Sequence, residues 1–137
     1  MTAAAWYAEA FAVEPKLAHD PRAFHRYNAA CAAALAGTGQ GHDADKLRED
    51  ERARLRKQAL DWLRADLAMY ATRLQGSDAQ DRKIMQKLLE HWQRDDDLIG
   101  IRESAALAKL PAGERASAVQ LWADVENLLR KTRGQQK

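Results

Sequence analysis

Apolar positions recur at helical spacing along most of this chain. Ala3, Tyr7 and Ala10 fall at i, i+4 and i+7, one face of a helix predicted over about residues 3–14. Pro15 can end that helix. Asp20-Pro21 supplies an N-cap residue and a proline at the first helical position, so a second helix is predicted over about 21–36, with Gly37 as its stop. Residues 37–46 read as a glycine-rich loop. Leu55, Ala59, Leu63, Leu67, Tyr70 and Leu74 then form one stripe on a helix over about 48–74.

Ser77 and Gln80 have capping-box spacing and predict a helix over about 78–94, with Ile84, Met85, Leu88, Leu89 and Trp92 on its buried side. Residues 95–110 lack a sustained period and read as an irregular segment with one or two short turns. Pro111 opens a last helix that buries Val119, Trp122, Val125 and Leu129. Lys131 and Arg133 near its end suit the helix dipole. The expectation is an all-α fold in a single helical domain over residues 1–137: repeat-like hairpins over about 3–74, then a helical extension or cap over about 77–133.

Trp62, Trp92 and Trp122 stand thirty residues apart, but their flanking residues do not recur. Each therefore reads as the apolar anchor of an amphipathic helix rather than the mark of a repeat.

A finer pattern lies near the start. Ala3, Tyr7, Ala10 and Pro15 resemble the second helix of a tetratricopeptide repeat, with its small, aromatic, small, proline spacing. Tyr27-Asn28-Ala29-Ala30 and Gly37 resemble the first helix of the next repeat. Ala29-Ala30 replaces the usual Leu-Gly, and the turn after Gly37 is longer than a standard repeat allows. The downstream run with Gln58-Ala59-Leu60-Asp61-Trp62-Leu63, His91-Trp92-Gln93 and Leu121-Trp122-Ala123-Asp124 is similar to C-terminal regions that follow such repeats in large planctomycete proteins, many of them serine/threonine kinase-like. The resemblance implies tetratricopeptide-type hairpins extended by a C-terminal helical bundle. It also implies a groove lined by the first helix of a hairpin, which makes Phe24, Tyr27, Asn28, Cys31 and Leu35 the candidate partner-binding residues. Asn28 can meet a ligand backbone with both a donor and an acceptor.

Composition narrows the function classes. The 137 residues are 46% hydrophobic and 31% charged, ordinary for a helix-rich domain with a real core. A net charge of +2 gives little electrostatic drive toward nucleic acid or an anionic membrane. No apolar run is long enough to span a bilayer, and no signal peptide is recognisable. The single cysteine, Cys31, cannot form an internal disulfide, which fits a reducing, cytoplasmic setting. Because Met1 to Ala5 leads straight into the back half of a hairpin, the chain is expected to be a piece of a longer protein. Residues 1–15 would then expose apolar surface and favour self-association.

Candidate chemistry is sparse. His25-Arg26-Tyr27-Asn28 has the look of a kinase catalytic loop but lacks its aspartate. Gly37, Gly39 and Gly41 lack the Lys-Ser/Thr of a phosphate loop. His19, His25, His42 and His91 have no second ligand at metal spacing. Asp95-Asp96-Asp97 cannot converge on one ion from adjacent positions; Asp95 is expected near arginines, with Asp96 or Asp97 capping the next turn. Arg48 to Lys57 mixes both signs, as a solvated helix face does. Cys31, in an alanine-rich helix, reads as a small buried residue. No catalytic residue, cofactor or metal is expected. The leading expectation is a non-catalytic protein-interaction scaffold, or the cap of a tetratricopeptide array, with a protein or peptide partner. The alternative is a regulatory segment of a larger kinase-like protein.

Overall fold

A computed structural model describes residues 25–40 and 47–134. The helix predicted over 3–14, the beginning of the second helix, Phe24, and the proposed self-association segment 1–15 lie outside the described residues. The described residues form α-helices and one 3-10 segment, with no strand among them. The fold is all-α. The chain divides into two compact units, residues 1–66 and 67–137, with the boundary inside the longest helix.

The first unit contains α1 (His25–Gly37) and most of α2 (Glu49–Leu74). In α1, Ala29, Ala30, Ala33 and Ala34 are fully buried. The sequence pattern makes Gly37 the helix stop, but Gly37 is still helical, and Gly39 takes the left-handed conformation, φ +80°, just beyond it. Thr38 reinforces the end by donating its hydroxyl to the Ala34 carbonyl at 2.8 Å. Gly37 serves a different purpose. A Cβ there would lie 2.7 Å from Arg56 Cγ and 2.9 Å from the Arg56 main-chain nitrogen, so glycine lets α2 cross close to α1.

Glu49, Asp50 and Glu51 fill the first turn of α2, where negative charge suits the dipole. Glu51 also accepts from the Arg48 main-chain N–H at 3.2 Å, half of a capping box. The predicted stripe is present: Ala59, Leu63, Leu67 and Tyr70 are buried, with Leu55 and Leu74 half-buried at the ends.

The second unit contains the end of α2, then α3 (Ala79–Arg94), a 3-10 segment (Asp96–Ile101), the four-residue α4 (Ser104–Leu107) and α5 (Ala112–Thr132). Asp78, rather than Ser77, caps α3 by accepting from the Asp81 N–H at 2.8 Å. Ser77 instead donates back to the Leu74 carbonyl at 2.8 Å and closes α2. Asp95, rather than Asp96 or Asp97, caps the 3-10 segment by accepting from the Asp97 N–H at 3.0 Å. Asp95 directly follows the last residue of α3, so its side chain is the one that reaches the first open N–H.

α3 and α5 run antiparallel: Gln93 donates to Glu126 at 2.9 Å, and Arg133 meets Glu90 at 2.9 Å. α3, the 3-10 segment and α5 contribute Leu89, Trp92, Leu98, Ile101, Leu121, Val125 and Leu129, the largest fully buried side chains of this unit. Trp92 also meets the Tyr70 ring at 6.1 Å. The buried faces differ from the pattern at two places. Ile84 is 50% exposed, and α3 turns Met85, Leu89 and Trp92 inward. Val119 is 55% exposed, and Ala118, Leu121, Val125, Leu128 and Leu129 make the buried face of α5. α5 carries apolar residues on two sides, and only tertiary contacts choose between them. Trp122 is half-buried: its indole N–H donates to the Ile101 carbonyl at 2.9 Å, and the Arg102 guanidinium lies 5.9 Å from its ring centre. Trp62 is also half-buried, so Trp92 alone of the three tryptophans is fully interior.

Candidate interaction surface

The residues suggested as a groove fall in different environments. Tyr27 and Cys31 are buried, Leu35 is half-buried and Asn28 is exposed. Phe24 lies outside the described residues. Asn28 is therefore the described candidate that is exposed to solvent.

Beside Tyr27 the structure reveals a buried ion pair. Arg26 Nη1 lies 3.1 Å from Asp66 Oδ1, and both side chains are almost fully enclosed. Burial pushes the Asp66 carboxyl up to about 6, against the opposing pull of the Arg26 charge and hydrogen bond. The sequence carried a signal for this. Asp66 falls at helical spacing with Ala59, Leu63 and Tyr70, a polar residue in an apolar stripe. Arg56 breaks the expected solvated charge face in the same way: it is buried, donates to the Gly37 carbonyl at 2.9 Å and pairs with Glu49 at 2.8 Å. The rest of that segment does form surface pairs, Arg54 with Asp50 and Lys57 with Asp61. These buried cations hold the unit's own helices together.

The titratable cluster at the end of α3 is also accounted for by local structure. His91 Nε2 lies 3.1 Å from Asp95 Oδ2 across the last turn of α3. Arg102 Nη1 donates to the Trp92 and Asp95 carbonyls at 2.9 and 2.8 Å, satisfying carbonyls that the helix end leaves open. Burial, then the neighbouring Asp95 and Asp96 charges, hold the Asp97 carboxyl above its ordinary value.

The feature that faces outward is an open groove in the second unit, about 260 Å³, lined by Ser104, Leu107, Ala108, Arg115 and Val119. It forms where the short α4 lies against the first turns of α5. Leu107 is buried in its floor and Val119 stands exposed at its edge. Arg115 reaches back from α5: Nε donates to the Leu107 carbonyl at 3.1 Å, and Nη2 to the Leu110 carbonyl at 2.9 Å. The groove is smaller than pockets that hold whole ligands, roughly 300 Å³ upward. It has room for one large side chain. Sequence reasoning missed it because its floor belongs to the irregular segment 95–110 and its edge, Val119, reads as core.

Among the described residues, no helix is long and apolar enough to cross a membrane. The chain matches no protein-family model, and comparison with curated proteins and with solved structures found no match.

Proposed function

We propose that this chain is a non-catalytic protein-interaction module of the reducing cytoplasm, acting as a scaffold or as the cap of a tetratricopeptide-type array. The observation that carries the reading is the groove of the second unit. Val119 is a large apolar residue left 55% exposed beside Leu107, on α5, which buries its other face through Ala118, Leu121, Val125 and Leu129. Exposed apolar surface at a concave site, mounted on a rigid support, is what a partner side chain can fill. The resemblance of Ala3 to Gly37 to a repeat hairpin supports the same class of role.

The test places a photocrosslinking amino acid at position 119, and at the exposed Lys83 as a control. The partner trapped through position 119 is then purified and its affinity measured. Val119→Glu is expected to weaken binding at least tenfold. A partner that binds Val119→Glu as tightly as the unchanged protein would refute the docking role of this groove.

A further inference from the structure

The chemistry of the groove narrows the kind of partner, and this step rests on reading the groove as a protein-docking surface. Arg115 sits at its mouth with its guanidinium held by main-chain carbonyls: Leu107 at 3.1 Å, Leu110 at 2.9 Å and Ala108 at 3.5 Å, the last a weak bond. These bonds use Nε and Nη2. Nη1 makes no hydrogen bond or ion pair among the described residues. The side chain has already lost its rotamer freedom to the fold, so a group that meets Nη1 need not restrain it again. The carbonyls carry only partial charges, and no acidic side chain among the described residues lies within ion-pair reach to neutralise the cation. Neighbouring Arg102 differs in this respect, because Glu103 meets its Nε at 3.1 Å.

An unneutralised, pre-positioned guanidinium beside an apolar floor calls for two adjacent features in a ligand: one negative charge and one apolar side chain. We propose that the groove receives an acidic-apolar segment of a partner protein, with a leucine- or phenylalanine-sized side chain over Leu107, Ala108 and Val119 and a neighbouring Asp or Glu carboxylate on Arg115. A phosphorylated segment is the poorer match, since its nearly doubled charge favours a cluster of cations.

The probes are two short peptides, acetyl-Phe-Glu-amide and acetyl-Phe-Gln-amide, titrated into the whole 15N-labelled protein and followed by NMR. The Glu peptide is expected to move the amide signals of Leu107 to Leu110, Arg115 and Val119 and to bind at least threefold tighter than the Gln peptide. Arg115→Gln should abolish that preference while the weak apolar binding persists. Equal affinity of the two peptides for the unchanged protein, or shifts confined to other residues, overturns the inference without reliance on any variant's folding. A trapped partner that needs Val119 yet binds Arg115→Gln undiminished also overturns it, and leaves the docking role itself standing.

Discussion

The two units solve the burial problem with different materials. In the first, the described helices bury mostly alanines and a cysteine beside Tyr27, Leu60 and Leu63, and they enclose charged groups as well: Arg26 with Asp66, and Arg56 with the Gly37 carbonyl and Glu49. In the second, the interior is Trp92, Leu89, Leu98, Ile101, Leu121, Val125 and Leu129, and arginines work at its edges by holding helix-end carbonyls. Small residues let backbones approach but bury little area each, while large ones bury area without polar help. The contrast teaches where each unit is vulnerable. The first should fail when a charge loses its partner or a small residue grows. The second should fail when a large side chain shrinks.

The largest effects should come from that reciprocal pair of changes. Trp92→Ala, at a site 2% exposed, is expected to cost about 3–5 kcal/mol. Arg26→Met is expected to cost a smaller ~2–3 kcal/mol at pH 7, because the buried Asp66 loses its hydrogen-bond partner and must hold a proton to stay enclosed. Replacing both partners, Arg26→Met with Asp66→Leu, should recover most of that loss. Chemical denaturation measures all three. A double variant no more stable than Arg26→Met alone would break the comparison.

Next in size is Gly37→Ala. Its Cβ would press on the α2 backbone at 2.9 Å from the Arg56 nitrogen, at a cost of about 1–3 kcal/mol. Gly76→Ala, where nothing lies within 4 Å of the added carbon, should change stability by less than roughly 0.5 kcal/mol. Equal effects of the two in thermal melts would count against a close α1–α2 crossing at Gly37.

The pH dependence is smaller and has an unusual sign. Asp66 titrates near 6 in the folded chain against 3.8 as a free side chain, so between those values the folded state holds the extra proton. Its contribution is greatest below 3.8 and is lost as pH rises through 6. From pH 7 to pH 5 this group alone should add roughly 1–1.5 kcal/mol of stability. Asp66→Asn should lack that gain, so the difference between the two proteins, measured at both pH values, isolates it. A pH profile unchanged by Asp66→Asn would show that the carboxyl is not forced up by burial.

Legibility from sequence followed the same division. The α2 stripe was readable because Ala59, Leu63, Leu67 and Tyr70 hold one strict helical row. The helix bounds at Glu49, Leu74, Ala79 and Arg94 lie close to the predicted ones because charges and cap residues mark them. The choice of cap was not readable. Ser77 and Asp78 are both competent, and the return of the chain toward Leu74 decides between them. The face of α5 was misread because Val119 and Trp122 are larger than Ala118 but lie off the buried side. The ion pair could have been suspected from Asp66 alone, although its partner could not be named without the crossing of α1 and α2. The groove was hidden altogether, since it exists only where the aperiodic segment meets α5.

Val119 is where the contrast between a packed interior and an unfilled edge meets the proposed function. The most direct measurement reads one variant, Val119→Glu, in two ways: thermal stability, and affinity for the partner trapped at position 119. Glutamate is at least as good a helix former as valine and the site is exposed, so stability should stay within about 0.5 kcal/mol while affinity falls at least tenfold. A marked loss of stability would place Val119 in the core after all, and undiminished affinity would mean that the partner docks elsewhere.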